Sequence, residues 1–70
     1  MDTSVRLKSY LQLCKLHVRN GKFDRAETLY ESCIEEFRSD FRVYFNYAQL
    51  CCLQGKFERA LDLFYEALKR

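Results

Sequence analysis

The sequence predicts an all-α fold, built as two antiparallel helical hairpins stacked into a short solenoid. Three observations carry this. A slide of 34 residues superimposes the two halves of the chain, aligning Tyr10 with Tyr44, Leu16 with Leu50, Gly21 with Gly55 and Ala26 with Ala60. Within each half the apolar residues recur every three to four positions, the period of amphipathic helices rather than strands. Proline is absent, and the only two glycines, Gly21 and Gly55, each sit just past a helical run.

The elements follow in order, each with a local reason. The first helix is expected near 4–19, with Asp2 or Thr3 capping its free amides; it carries Leu7, Tyr10, Cys14 and His17, with Leu11 and Val18 as a second apolar flank. Gly21 ends it, because a left-handed residue accepts a helix end without a Cβ clash. The second, near 23–37, lines up Phe23, Ala26, Tyr30, Cys33 and Phe37 at spacings of 3, 4, 3 and 4. Its Glu27, Glu31 and Glu35 form a like-charged column, read as a solvated face. Ser39 or Asp40 caps the third helix, near 41–54, which carries Phe41, Tyr44, Ala48 and Cys51 with Phe45 and Cys52 on a flank. The fourth, near 57–69, repeats the pattern with Phe57, Ala60, Phe64 and Ala67. The whole chain, 1–70, is read as one domain, with repeat one at about 7–40 and repeat two at about 41–70.

Composition narrows the function classes. Twelve basic and ten acidic residues leave a net charge of +2, too slight to name nucleic acid or an anionic membrane as partner. No apolar run approaches the roughly 18 to 20 residues of a membrane span. The N-terminus has neither a basic segment nor an apolar core of the secretory kind. Four cysteines at helical spacing, without a secretory signal, point to a reducing, cytoplasmic compartment and buried thiols. Cys51 and Cys52 point about 100° apart on one helix, so a bond between them is not expected.

The segment Gly21-Lys-Phe-Asp-Arg-Ala26 recurs as Gly55-Lys-Phe-Glu-Arg-Ala60. Repeat one supplies Tyr10, Leu13, Cys14, His17, Gly21, Phe23, Ala26, Tyr30 and Cys33; repeat two supplies Tyr44, Tyr47, Ala48, Cys51, Gly55, Phe57, Ala60, Phe64 and Ala67. In this set the chain resembles the tetratricopeptide repeat (TPR) family over residues 7–70. The small positions have a physical reason, since helices crossing at roughly 8 to 10 Å admit only small side chains at closest approach. Arg38 stands where the family places proline, and His17 and Cys51 where an aromatic is common. Half-a-TPR and pentatricopeptide repeats share the hairpin architecture, but the first calls for tryptophan and the second for a proline link, and this chain has neither. The resemblance implies a right-handed solenoid.

Enzymatic constellations are missing from the sequence: one histidine, no Gly-rich phosphate loop and no nucleophile motif. The expectation is a non-enzymatic module with no cofactor. The sharpest chemical alternative is a zinc site of Cys14, His17, Cys51 and Cys52, set against the packing role that all but Cys52 have in the repeat. His17 is read as a packed residue in an aromatic position, with no function of its own.

The resemblance further implies peptide binding on the surface formed by first helices. Carried onto this chain, that surface comprises Lys8, Leu11, Gln12, Lys15 and Arg19 with Arg42, Phe45, Asn46 and Gln49. Cations, amides and two apolar anchors suit a protein or peptide partner with acidic groups. The chaperone-tail carboxylate clamp of some relatives is matched only at Asn46, because Leu11 and Lys15 replace its lysine and asparagine. The alternatives are an RNA-associated repeat using this basic face and an architectural self-assembly module.

Self-association is also expected. Stacked repeats bury a continuous core when about three or more are present. On the last helix Leu61, Tyr65 and Leu68 form an apolar stripe, whereas repeat one has Glu27 and Glu31 at the places of Leu61 and Tyr65. Such a stripe marks an interface, either of a symmetric dimer or with neighbouring repeats of a longer protein.

Overall fold

In a computed structural model the chain is described over residues 3–70, with side chains from residue 4 onward. It is all-α, with helices α1 (Thr3–Arg19), α2 (Phe23–Glu36), α3 (Phe41–Leu53) and α4 (Phe57–Leu68). These bounds lie within a residue of the expected ones. Asp2 and the side chain of Thr3, the expected caps of α1, fall outside what is described.

The turns are built twice in the same way. Gly21 and Gly55 adopt φ of 74° and 77°, the left-handed region that glycine enters without penalty. The Lys22 amide donates to the His17 carbonyl at 2.8 Å and the Gly21 amide to Val18 at 3.0 Å, the paired bonds of a Schellman end. Lys56 to Cys51 at 2.8 Å and Gly55 to Cys52 at 3.1 Å reproduce them. The joint between α2 and α3 differs: Asp40 accepts from the Arg42 amide at 2.9 Å and so caps α3.

Sequential helices pair, α1 with α2 and α3 with α4, and the two pairs meet chiefly through α2 on α3. The molecule is a slab of 36 × 30 × 14 Å. Its short dimension fits two helix layers, since axes about 8 to 10 Å apart and Cα radii of about 2.3 Å sum to roughly that thickness. The core holds Leu7, Leu11, Cys14, Ala26, Tyr30, Cys33 and Phe37 from the first half and Val43, Tyr44, Tyr47, Ala48, Leu50, Cys51, Ala60 and Leu63 from the second. Ala26, Ala48 and Ala60 are all but inaccessible, as small residues at close helix approaches must be.

Three expectations need correction. Leu11 is a core residue, because it lies one turn from both Leu7 and Cys14 on the inward face of α1. Phe41 and Phe57, expected on core faces, are exposed; each begins its helix, ahead of the first packed turn. Glu27 and Glu31 are not simply solvated. Glu27 pairs with Lys56 at 3.0 Å, while Glu31 accepts from Arg59 at 3.2 Å and from the Tyr47 hydroxyl at 3.1 Å.

Candidate functional site

Of the nine residues that the sequence places on the α1–α3 face, the structure brings Lys15, Asn46 and Gln49 together in one cleft, while Gln12 and Arg19 line a groove on α1 with Leu13 and Leu16. Lys8, Gln12, Lys15 and Arg19 of α1 and Phe45 and Gln49 of α3 are exposed, while Arg42 and Asn46 are half-buried. Leu11 points into the core and leaves the face with one aromatic anchor, Phe45, which packs edge-on against Phe64 of α4 at 5.6 Å between ring centroids.

A small cleft of about 120 Å³ opens between the two helices, lined by Lys15, Val18, Tyr30, Asn46, Gln49, Leu50 and Leu53. Three of the expected polar residues thus converge on one place. The apolar part of the cleft is buried Leu50 with exposed Leu53, which follow Asn46 at spacings of four and seven, a helical signal readable in the sequence. The Asn46 amide donates to the Arg42 carbonyl at 2.7 Å, which orients it along α3 and leaves its oxygen as an acceptor.

The cations of this face fall into two kinds. Arg42 is committed: its Nε and Nη2 donate to the two oxygens of Asp40 at 3.0 and 2.7 Å. That bidentate contact holds the Asp40 carboxyl below its ordinary value, against the smaller opposing effect of burial. Lys8, Lys15 and Arg19, in contrast, make no ion pair with any described residue. Arg6, Lys56, Arg59, Lys69 and Arg70 all do. The uncompensated positive charge of α1 therefore sits on Lys8, Lys15 and Arg19, of which Lys15 lines the cleft.

Away from it, the α2–α3 junction is a compact polar and aromatic joint. Tyr47 stacks on Tyr30 with centroids 5.3 Å apart and rings 9° from parallel, and the Arg59 guanidinium lies 5.5 Å from the centre of the Tyr47 ring. Burial pushes the Tyr47 phenol up to about 12, so it holds its proton and donates it to Glu31.

Three of the four cysteines are buried as expected, and Cys52 departs from that expectation. Cys14, Cys33 and Cys51 are buried free thiols, and Cys52 is exposed. Cys14 is raised well above its ordinary value by its hydrogen bond with Cys33, with burial adding to the effect. Burial raises Cys51 as well. Cys14 is thus engaged across α1 and α2, and among the described residues no group of three or more His, Cys, Asp or Glu side chains is placed to hold a metal ion. No described helix is long and apolar enough to cross a membrane. Leu61, Tyr65 and Leu68 are exposed along α4, the last to 82%.

No curated protein and no solved structure matches the chain. The family profile described as tetratricopeptide repeat matches residues 11–70, which spans both glycine turns and all four helices in whole or in part. The chain belongs to the tetratricopeptide repeat family.

Proposed function

We propose that the chain is a non-enzymatic protein–protein interaction module of the reducing cytoplasm, two repeats stacked as a short right-handed solenoid, whose α1–α3 face receives an acidic peptide. The observation that carries the reading is the cleft between α1 and α3, where Lys15, Asn46 and Gln49 stand around the buried Tyr30 and Leu50, with the exposed Leu53 beside them. Amides at such a place hydrogen-bond a peptide backbone, an ammonium pairs with a carboxylate, and the exposed leucine takes one apolar side chain. Lys8, Lys15 and Arg19 supply charge that no described carboxylate neutralises, and Phe45 offers an exposed ring beside it.

A fluorescent acidic peptide, aspartate-rich with one leucine, tests this by anisotropy against its lysine-rich counterpart. The acidic peptide is expected to bind and to weaken as salt rises; Lys15→Glu should abolish binding, and Arg42→Glu should act less because Arg42 already serves Asp40. Equal binding of both peptides, or no effect of Lys15→Glu, would overturn the reading. Single-stranded RNA in the same assay distinguishes the RNA-associated alternative, which requires binding with a steep salt slope.

A further inference from the structure

The internal joint between the two repeats provides a template for what covers the outer faces. At that joint the α3 residues Val43, Tyr47 and Leu50 are buried. Tyr47 meets Tyr30 and Glu31 of α2. Subtracting the 34-residue period places Ser9, Leu13 and Leu16 of α1 at the positions of Val43, Tyr47 and Leu50. Adding it places Leu61, Phe64, Tyr65 and Leu68 of α4 at those of Glu27, Tyr30, Glu31 and Ile34. One end of the molecule thus carries the receiving half of the joint and the other end the inserting half.

Exposure confirms that both halves are open. Leu13 is 43% exposed where Tyr47 is 3%, and Leu16 is 49% exposed where Leu50 is 2%. Leu61 and Tyr65 stand 54% and 58% exposed. Along α1 two shallow grooves flank Leu13, one lined with Val5 and Tyr10, the other with Lys15 and Leu16.

The two halves are also matched in chemistry. Inside the molecule the contact is polar on both sides, the Glu31 carboxylate against the Tyr47 hydroxyl. At the ends the carboxylate and its hydroxyl partner are lost together, Glu31 giving way to the uncharged ring of Tyr65 and Tyr47 to Leu13. Arg59, which pairs with Glu31, has Arg25 as its counterpart, so a guanidinium stands where it can lie over the Tyr65 ring in place of that ion pair. The polar contacts of the internal joint have no equivalents: Glu27–Lys56 becomes Leu61 over the apolar stem of Lys22, and Glu31–Tyr47 becomes Tyr65 over Leu13.

We propose that the α4 face of one copy docks on the α1 face of a second copy, head to tail, in continuation of the internal α2–α3 joint. The contact is heterologous, so it leaves one open face of each kind on every pair and adds further copies. This differs from the symmetric α4-to-α4 dimer that the sequence suggests. It does not rest on the peptide-binding reading, although Lys15 lines both the α1–α3 cleft and the α1 groove beside Leu16.

Sedimentation velocity across a concentration series tests it, with Leu13→Glu closing the α1 face and the pair Leu61→Glu and Leu68→Glu closing the α4 face. The expected result is an average mass that rises past two chains in the unaltered protein, monomer for each variant alone, and a heterodimer of one chain each when the variants are mixed. A dimer that survives Leu13→Glu but not the α4 changes would overturn the proposal in favour of the symmetric contact. A monomer at every concentration would overturn it in favour of another chain as occupant. Circular dichroism checks that each variant is folded, and Leu16→Glu reads the same face should Leu13→Glu lose helix.

Discussion

The α2 face built on Glu27 and Glu31 and the α4 face built on Leu61 and Tyr65 occupy corresponding places in the two repeats, yet the first lies against the second hairpin and the second is open. Their chemistry differs in the sense that the proposed docking of a second copy requires. A partner on the same chain arrives tethered, so exposed ion pairs worth about 0 to 1 kcal/mol each are enough to finish the joint. A partner from solution gives up translational and rotational freedom at a cost of about 4 to 15 kcal/mol, which apolar burial can offset and exposed ion pairs cannot. The covered face uses Glu27–Lys56 and Glu31–Arg59; the open one offers leucine and tyrosine.

The comparison breaks most directly at Tyr47 and its counterpart Leu13. Tyr47→Ala removes a buried ring stacked on Tyr30 and should cost about 3 kcal/mol or more in urea unfolding followed by circular dichroism. Leu13→Ala, on the open face, should cost less than about 1 kcal/mol in dilute protein. Equal losses would mean that the two positions are not covered and open versions of one site.

Substitutions inside the hairpins sharpen it from the other side. Ala26→Leu and Ala60→Leu each overpack a helix approach and should cost about 1 to 3 kcal/mol, read as a lower thermal midpoint. Similar costs would show that the repeats are alike within and differ only on their outer faces. Variants that melt with the parent would show that the alanines are not at close contacts.

The smallest effect is expected at the joint itself. Asp40→Ala removes the cap of α3 and should cost about 1 kcal/mol at neutral pH. The Asp40 carboxyl is held below its ordinary value of 3.8 in the folded state. Its contribution is therefore full above about pH 4 and is lost as pH falls from there through the lower folded value. Below that window Asp40→Ala and the parent should converge in stability, whereas a constant difference down to the acid limit would exclude the Asp40–Arg42 contact as its source.

The turns were legible in the sequence because their causes are local: a positive φ needs glycine, and the bonds that close each turn span five residues or fewer. The Asp40 cap was legible for the same reason, as one of two candidates. Leu11 belongs to the peptide face only by carry-over from the family pattern, while its spacing from Leu7 and Cys14 puts it on the inward side of α1. The partners of Glu27 and Glu31 were out of reach, since Lys56 and Arg59 lie 29 and 28 residues further along and only packing brings them near. Of the candidate cleft, Lys15, Asn46 and Gln49 are legible in the sequence as first-helix polar residues, whereas the place of Leu50 and Tyr30 beside them depends on packing between helices.

Lys22 closes the end of α1 with its amide and begins α2 with its carbonyl, which accepts from Ala26 at 3.1 Å; Lys56 does the same for α3 and α4. One residue serving two helices leaves no slack for insertions or deletions. A single extra residue at either turn would rotate the following helix by about 100° and carry its stripe of small and aromatic residues away from the core. The joint at residues 37–40 is less constrained, because Phe37 ends one helix and Asp40 starts the next as separate residues. Length variation among sequences built on this plan should accumulate there or come in whole units of 34 residues, with the glycine turns holding one fixed length.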